Sequence, residues 1–134
     1  MSAEPTRRTI LGAAAITAVS APLLVACSGR KVAPETTSGT VIAPLDAVPD
    51  GDTVVVMTAA GSPVVLSRDG DSVTAYSGIC THQGCSVRKE TEYLLCPCHN
   101  SKFDWDGSVI SGLAKDPLPP IAVEVVNGDI VAAG

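Results

Sequence analysis

Both histidines and four of the five cysteines of this 134-residue chain fall in two short stretches. One is Cys80-Thr81-His82-Gln83-Gly84-Cys85. The other, 10 residues further on, is Cys96-Pro97-Cys98-His99-Asn100-Ser101-Lys102-Phe103-Asp104. We read Cys80, His82, Cys96 and His99 as a metal-ligand set, Cys-x-His followed by Cys-x-x-His. Thiolates and imidazoles in equal number suit zinc or an iron–sulfur cluster, and spacing alone leaves a structural zinc module and a redox centre equally open. The context favours the cluster. Each stretch carries a second cysteine, Cys85 or Cys98, and Gly84 and Pro97 shape tight turns. Ser101 stands two residues after His99, placed to donate a hydrogen bond to a sulfide.

The pattern C-T-H-x-G-C followed by C-P-C-H-x-S-x-F-D resembles that of the Rieske iron–sulfur proteins, over roughly residues 41–134. The resemblance implies one [2Fe–2S] cluster with two cysteines on one iron and two histidines on the other. That ligation raises the potential above that of all-cysteine ferredoxins. Carried over, Cys80 and Cys96 hold the inner iron, and His82 and His99 hold the outer iron near the surface. Cys85–Cys98 is then the disulfide that ties the two cluster loops. The extra pair is lacking in some family members, notably ferredoxins that serve oxygenases. Its presence points to the high-potential branch, which includes subunits of quinol:cytochrome c reductases.

This sequence departs from the family pattern at four places. Gln83 stands where respiratory subunits often carry a Leu that shields the cluster and faces the docked quinol. Asn100 replaces a usual Gly, a mild change because Asn tolerates a left-handed backbone. Phe103, placed by the resemblance beside Cys80, replaces a Tyr whose hydroxyl bonds a ligand sulfur. Leu113 follows Gly112 where relatives carry Pro, in a loop over residues 112–120 expected to cover the cluster through Pro117.

The activity implied is one-electron transfer coupled to a proton, because ferric iron makes His82 and His99 lose a proton more readily. No independent catalytic site is expected. One role is the iron–sulfur subunit of a membrane quinol:cytochrome c-type oxidoreductase. There the partners are a cytochrome b-type subunit, quinol at a shared site and a cytochrome c-like acceptor. The other is a stand-alone lipoprotein carrier, or the small subunit of a different exported oxidoreductase of the arsenite-oxidase kind.

The rest of the chain must carry and position these loops. Residues 1–27 read as a targeting segment. Arg7 and Arg8, within Thr6-Arg7-Arg8-Thr9-Ile10-Leu11, resemble a twin-arginine export signal. The apolar run that follows, residues 10–26, is short of the ~20 residues a membrane span needs. It ends in Leu24-Val25-Ala26-Cys27, which resembles a lipobox. Cys27 is the odd cysteine of the chain, and lipidation gives it a use. An uncleaved anchor helix is the alternative. Either way the domain stands on the extracytoplasmic face of the cell membrane. A twin-arginine route carries folded protein, which suits a cluster built in a reducing cytoplasm before disulfides form outside.

Residues 28–40 read as a flexible tether reaching at most about 45 Å. Beyond Cys27 and including it, 7 basic and 13 acidic residues remain. That acidic balance, with no basic stripe or aromatic platform, argues against a nucleic-acid partner. With one Trp, one Phe and two Tyr, the core must rest on Val, Ile, Leu and Ala. Short β-rich runs alternate with turn signals: residues 41–45, 53–58, 64–67, 72–76 and 92–95. A hairpin is expected across Asp106-Gly107 and another across Asn127-Gly128. Met57 reads as a core filler. No helical period follows residue 27. The expected architecture is all-β, the Rieske fold: an antiparallel β-sandwich base with a smaller cluster-binding subdomain, about residues 79–118, inserted between strands of the base.

Overall fold

The computed structural model describes residues 37–134. Arg7, Arg8, Cys27 and the tether as far as residue 36 lie outside the described residues. Among the described residues no helix is long and apolar enough to cross a membrane.

The described residues form eleven strands and one 3-10 turn, Leu45–Ala47. The strands are β1 (Val41–Pro44), β2 (Thr53–Met57), β3 (Pro63–Asp69) and β4 (Ser72–Ser77), then β5 (Arg88–Lys89), β6 (Leu94–Leu95), β7 (Lys102–Phe103) and β8 (Val109–Ser111). The last three are β9 (Pro120–Ile121), β10 (Val123–Val126) and β11 (Asp129–Ala132). They assemble into three antiparallel sheets, ordered β1-β11-β10, β2-β3-β4-β9 and β5-β6-β7-β8. The first two make the base. The third lies, in sequence, between β4 and β9, two strands of the base that pair with each other.

The centre of the base is β3. Its residues Val64, Val65 and Leu66 are all fully buried, although a strand with one wet face buries only alternate residues. The pleat explains this. Val64 and Leu66 point into a core shared with Ile42, Val48, Ala75 and Ile130. Val65, between them, points into a second core with Cys80, Val87, Leu94, Cys96, Phe103, Ala114 and Leu118. The neighbouring strands follow the same alternation. Val54 and Val56 join the first core and Val55 the second, while Ala75 and Tyr76 divide likewise. One sheet therefore separates an aliphatic base core from the core that carries the candidate ligands.

The chain leaves the base at Ser77–Gly78 and returns at Pro119–Pro120. These two crossings are bonded to each other, the Ser77 N–H donating to the Pro119 carbonyl at 2.8 Å. Gly78 lies hard against Pro63, and a Cβ there would sit 2.8 Å from the Pro63 Cβ. A strut outside this neck, Lys89 Nζ to Asp52 Oδ1 at 2.5 Å, joins β5 to the turn before β2.

Some expectations change. Met57 is no core filler: it ends β2 on the surface, 59% exposed. The first strand stops at Pro44, where the chain turns into the 3-10 segment. The bonded domain also begins earlier than the expected tether end at residue 40. Gly39 N–H donates to the Ala132 carbonyl, and Ala132 N–H donates to the Thr40 carbonyl. Both expected hairpins form. Val126 pairs with Asp129 across Asn127 and Gly128, whose φ of 50° and 83° suit the turn. Phe103 pairs with Val109 around Asp106-Gly107.

Candidate metal centre

The two ligand-bearing loops repeat one backbone pattern. In the first, the Cys80 carbonyl accepts the Gly84 N–H at 2.9 Å, and the Cys80 N–H donates to the Cys85 carbonyl at 2.7 Å. In the second, the Cys96 carbonyl accepts the Asn100 N–H at 3.0 Å, and the Cys96 N–H donates to the Ser101 carbonyl at 2.8 Å. The fifth residue of each loop must be left-handed for the chain to close this way. Gly84 has φ 77° and Asn100 has φ 58°. The Asn100 substitution thus keeps the turn, at the small cost Asn carries there. Each loop leads with a buried cysteine and carries its histidine two or three residues later.

The structure brings the proposed ligands together. Cys80 and Cys96 are free thiols, both buried. Burial pushes the Cys80 thiol above its ordinary range and its contact with the Cys96 sulfur adds to this, while the backbone N–H groups of His82 and Gln83, which hydrogen-bond the same sulfur, oppose it. A buried thiol such as Cys80 resists charging unless a cation shares the site. The His82 and His99 rings lie edge to face, 4.9 Å between centroids. His82 Nδ1 is buried and has no hydrogen-bond partner. An orphaned imidazole nitrogen inside a protein costs free energy, and a metal ligated at Nδ1 removes that cost. His99 is exposed. This donor set, two buried sulfurs and two imidazoles nearer the surface, fits a [2Fe–2S] cluster with one iron inward and one outward.

Cys85 and Cys98 form a disulfide between the loops, with Cα atoms 6.5 Å apart. Around it lie the other residues singled out above. Ser101 is fully buried, and its Oγ accepts the Ala114 N–H at 3.1 Å. That contact leaves the hydroxyl hydrogen free to donate toward the site. Phe103 is fully buried in the core that holds Cys80 and Cys96. Gln83 and Pro97 are exposed.

The segment from Gly112 to Pro120 is pinned to both loops. Ser101 holds it through Ala114, and Thr81 Oγ1 donates to the Asp116 carbonyl at 2.7 Å. Gly112 must be glycine at this approach, because its φ is 102° and a Cβ would meet the Ser101 Cα at 2.5 Å. The buried members of this segment are Ala114 and Leu118, whereas Pro117 is exposed. Thr81 and Gly112 were not singled out from the sequence as site residues. The threonine sits inside the first ligand stretch, which is the one signal that could have found it.

Comparison with known proteins agrees with this geometry. A family model described as the Rieske [2Fe-2S] domain matches residues 38–122. The cytochrome b6-f complex iron-sulfur subunit of Chlorobaculum tepidum is 36% identical over 94 residues, 69% of this chain and 51% of that one. The chain thus spans about half the length of the cytochrome b6-f subunits it matches. The plasma membrane Rieske protein PetC3 from Synechocystis PCC 6803 superposes with a TM-score of 0.53 at 28% identity, over 74% of this chain and 100% of that one. The ferredoxin of carbazole 1,9a-dioxygenase from Nocardioides aromaticivorans IC177 gives 0.53 at 27%, over 72% and 98%. The family match also decides between the two metals left open by the ligand spacing. It selects the iron–sulfur cluster over zinc.

Proposed function

This chain belongs to the Rieske [2Fe-2S] family, and from that premise we propose that it is the iron–sulfur subunit of a membrane quinol:cytochrome c-type oxidoreductase. Cys80, Cys96, His82 and His99 are its cluster ligands. When bound, the cluster supplies one-electron transfer. The chain's own residues do the rest. Cys80 and Cys96, held by matching turns, fix the buried side of the centre. His82, ligating through Nδ1, keeps Nε2 as the nitrogen at which a proton is held or released as the electron moves. His99 presents the other imidazole to a partner at the surface. Ser101 and the backbone N–H groups of His82 and Gln83 direct hydrogen bonds at sulfur, which favours the more negative, reduced state.

The observation that carries the quinol reading is the similarity to cytochrome b6-f iron-sulfur subunits. The Cys85–Cys98 disulfide beside the ligands fits a high-potential centre in either reading. A cytochrome b-type subunit is then the membrane partner and a cytochrome c-like protein the acceptor. The test is the midpoint potential against pH. A proton-coupled couple falls by roughly 59 mV per pH unit once a ligand histidine titrates in the oxidised form. A low potential flat from neutral to alkaline pH would reject the quinol role.

A second reading is a stand-alone lipoprotein carrier, or a small subunit of an arsenite-oxidase-like enzyme. It is favoured by Gln83, polar and exposed at the position expected to face quinol. In both readings the domain stands on the extracytoplasmic face, exported through Arg7 and Arg8 and lipid-anchored at Cys27. Cys27→Ser should release the protein from the membrane fraction. A variant that stays bound with its N-terminus intact identifies an uncleaved anchor instead.

A further inference from the structure

The sulfur atoms of Cys85, Cys96 and Cys98 all lie within 4.8 Å of one another. Three cysteines at such distances could suggest a second metal site. Two of them are joined in a disulfide, however, and a disulfide sulfur is not the thiolate donor that a metal takes. The arrangement is instead a free, buried thiol held beside a disulfide. We propose that Cys96 is the nucleophile of an internal thiol–disulfide exchange, attacking Cys85 and releasing Cys98 whenever no metal holds its sulfur.

The step balances within the three residues. The Cys96 thiol gives its proton to solvent, and its Sγ bonds to Cys85 Sγ. The Cys85–Cys98 bond breaks, and Cys98 Sγ leaves and takes up a proton. One S–S bond forms and one breaks, with no oxidant or reductant. The choice of Cys85 as the attacked sulfur follows from position. A Cys96–Cys98 bond must close a small ring across Pro97, whose φ is fixed by its own ring. A Cys85–Cys96 bond instead keeps the two loops tied. It also releases the sulfur of Cys98, an exposed residue, toward water, whereas Cys85 is half-buried. The sulfurs must close from within 4.8 Å to about 2 Å. Pro97, Cys98, His99 and Asn100 are all exposed, so no side chain buried between Cys96 and Ser101 has to leave the core for that closure.

The consequence is an order of assembly. Cys96 is reserved for the metal only if the metal arrives before the disulfide closes. A chain that oxidises empty loses a ligand to Cys85, and a chain that loses its metal afterwards cannot simply take it back. The three sulfur positions set this exchange, whichever donor and acceptor the cluster serves.

The test uses the full chain carrying Cys27→Ser, which removes the fifth cysteine. The loaded protein is stripped of metal by a chelator, without oxygen or added thiol, then alkylated and mapped by peptide mass spectrometry. Loaded protein unfolded directly into the alkylating agent should label at Cys80 and Cys96 and keep Cys85–Cys98. After stripping and incubation, the second label should move from Cys96 to Cys98 in most chains, with a Cys85–Cys96 bond. Iron and sulfide should then rebuild the visible absorption only after reduction of that bond. Persistent label at Cys96 would overturn the proposal. So would a label at Cys85 with a Cys96–Cys98 bond, or a Cys80–Cys96 bond.

Discussion

The two cores that share β3 are built by different means. On one face, Ile42, Val48, Val64, Leu66 and Ile130 make an aliphatic core beneath strands that, the two-residue β9 apart, are four to seven residues long. Each fully buried Val, Leu or Ile there contributes about 1.5–3 kcal/mol. On the other face, Val65, Leu94 and Phe103 share the interior with two thiols, Cys80 and Cys96. The strands around them are two or three residues long. That end is held by turn hydrogen bonds, one disulfide and the pins at Ser101 and Thr81. The base folds by burying side chains. The metal end needs links that fix geometry, because its purpose is to hold four ligands in place rather than to minimise exposed apolar surface.

The largest expected break in this comparison comes from Cys96→Ser. We expect complete loss of the cluster and loss of hydrogen-exchange protection across residues 79–118, while the amides of β2, β3 and β4 stay protected. Equal loss of protection in both regions would mean that the two cores unfold as one.

Next in size is the double variant Cys85→Ser with Cys98→Ser. Closing a loop of this length constrains the unfolded chain by about 3 kcal/mol. The temperature at which the cluster bleaches should drop clearly, and the far-ultraviolet transition of the base should move much less. If bleaching is unchanged, the bridge does not hold the loops.

Two single substitutions sharpen the picture inside the metal end. Ser101→Ala strands the buried Ala114 N–H, at about 1–3 kcal/mol, and removes the hydroxyl proposed to donate to the cluster. The potential should fall. Phe103→Tyr should raise it, by roughly 40 mV for a hydrogen bond about 1 kcal/mol better in the reduced state. Protein-film voltammetry reads both. A Phe103→Tyr potential at or below the parent's means that the ring does not face the Cys80 sulfur.

The smallest effect is at the strut. Its hydrogen bond to Lys89, and then the Thr53 N–H, hold the Asp52 carboxyl below its ordinary range. A carboxylate depressed in the folded state contributes stability above its unfolded pKa, and that contribution is lost as pH falls through the folded value. Asp52→Asn should therefore be slightly less stable than the parent at neutral pH, with the gap closing in acid. Because the pair is exposed, added salt should shrink the gap too. A gap that ignores both pH and salt assigns the effect to something other than charge.

Legibility from sequence follows the same division. The long strands, the turns at Asn127-Gly128 and Asp106-Gly107 and the all-β class were readable, because apolar runs and turn residues act locally. β5 and β9 were not. Arg88–Lys89 has the composition of an exposed turn, and its pairing with Leu94–Leu95 comes from the neighbouring strand. Pro120 reads as the end of a proline-rich loop and Ile121 as the start of the last hairpin, until Tyr76 and Ala75 supply their partners. Met57 was misread because a hydrophobic residue at a strand's last position has no neighbour to say which way it faces. At the metal end the proposed ligands and the disulfide partners stand out by residue type and by resemblance. The pins did not. Thr81 to the Asp116 carbonyl and Gly112 against Ser101 span long sequence separations and end on backbone atoms, which carry no sequence signal.

If two buried cysteines and two outward histidines, His82 and His99, hold one cluster, pulsed EPR of the reduced protein, grown with 15N-labelled histidine, should show two strongly coupled imidazole nitrogens. One should be lost in His82→Ala or His99→Ala if any cluster survives, and none in Cys27→Ser. A reduced protein with no EPR signal and a stoichiometric zinc content, or a cluster signal without histidine nitrogen coupling, would contradict that ligation.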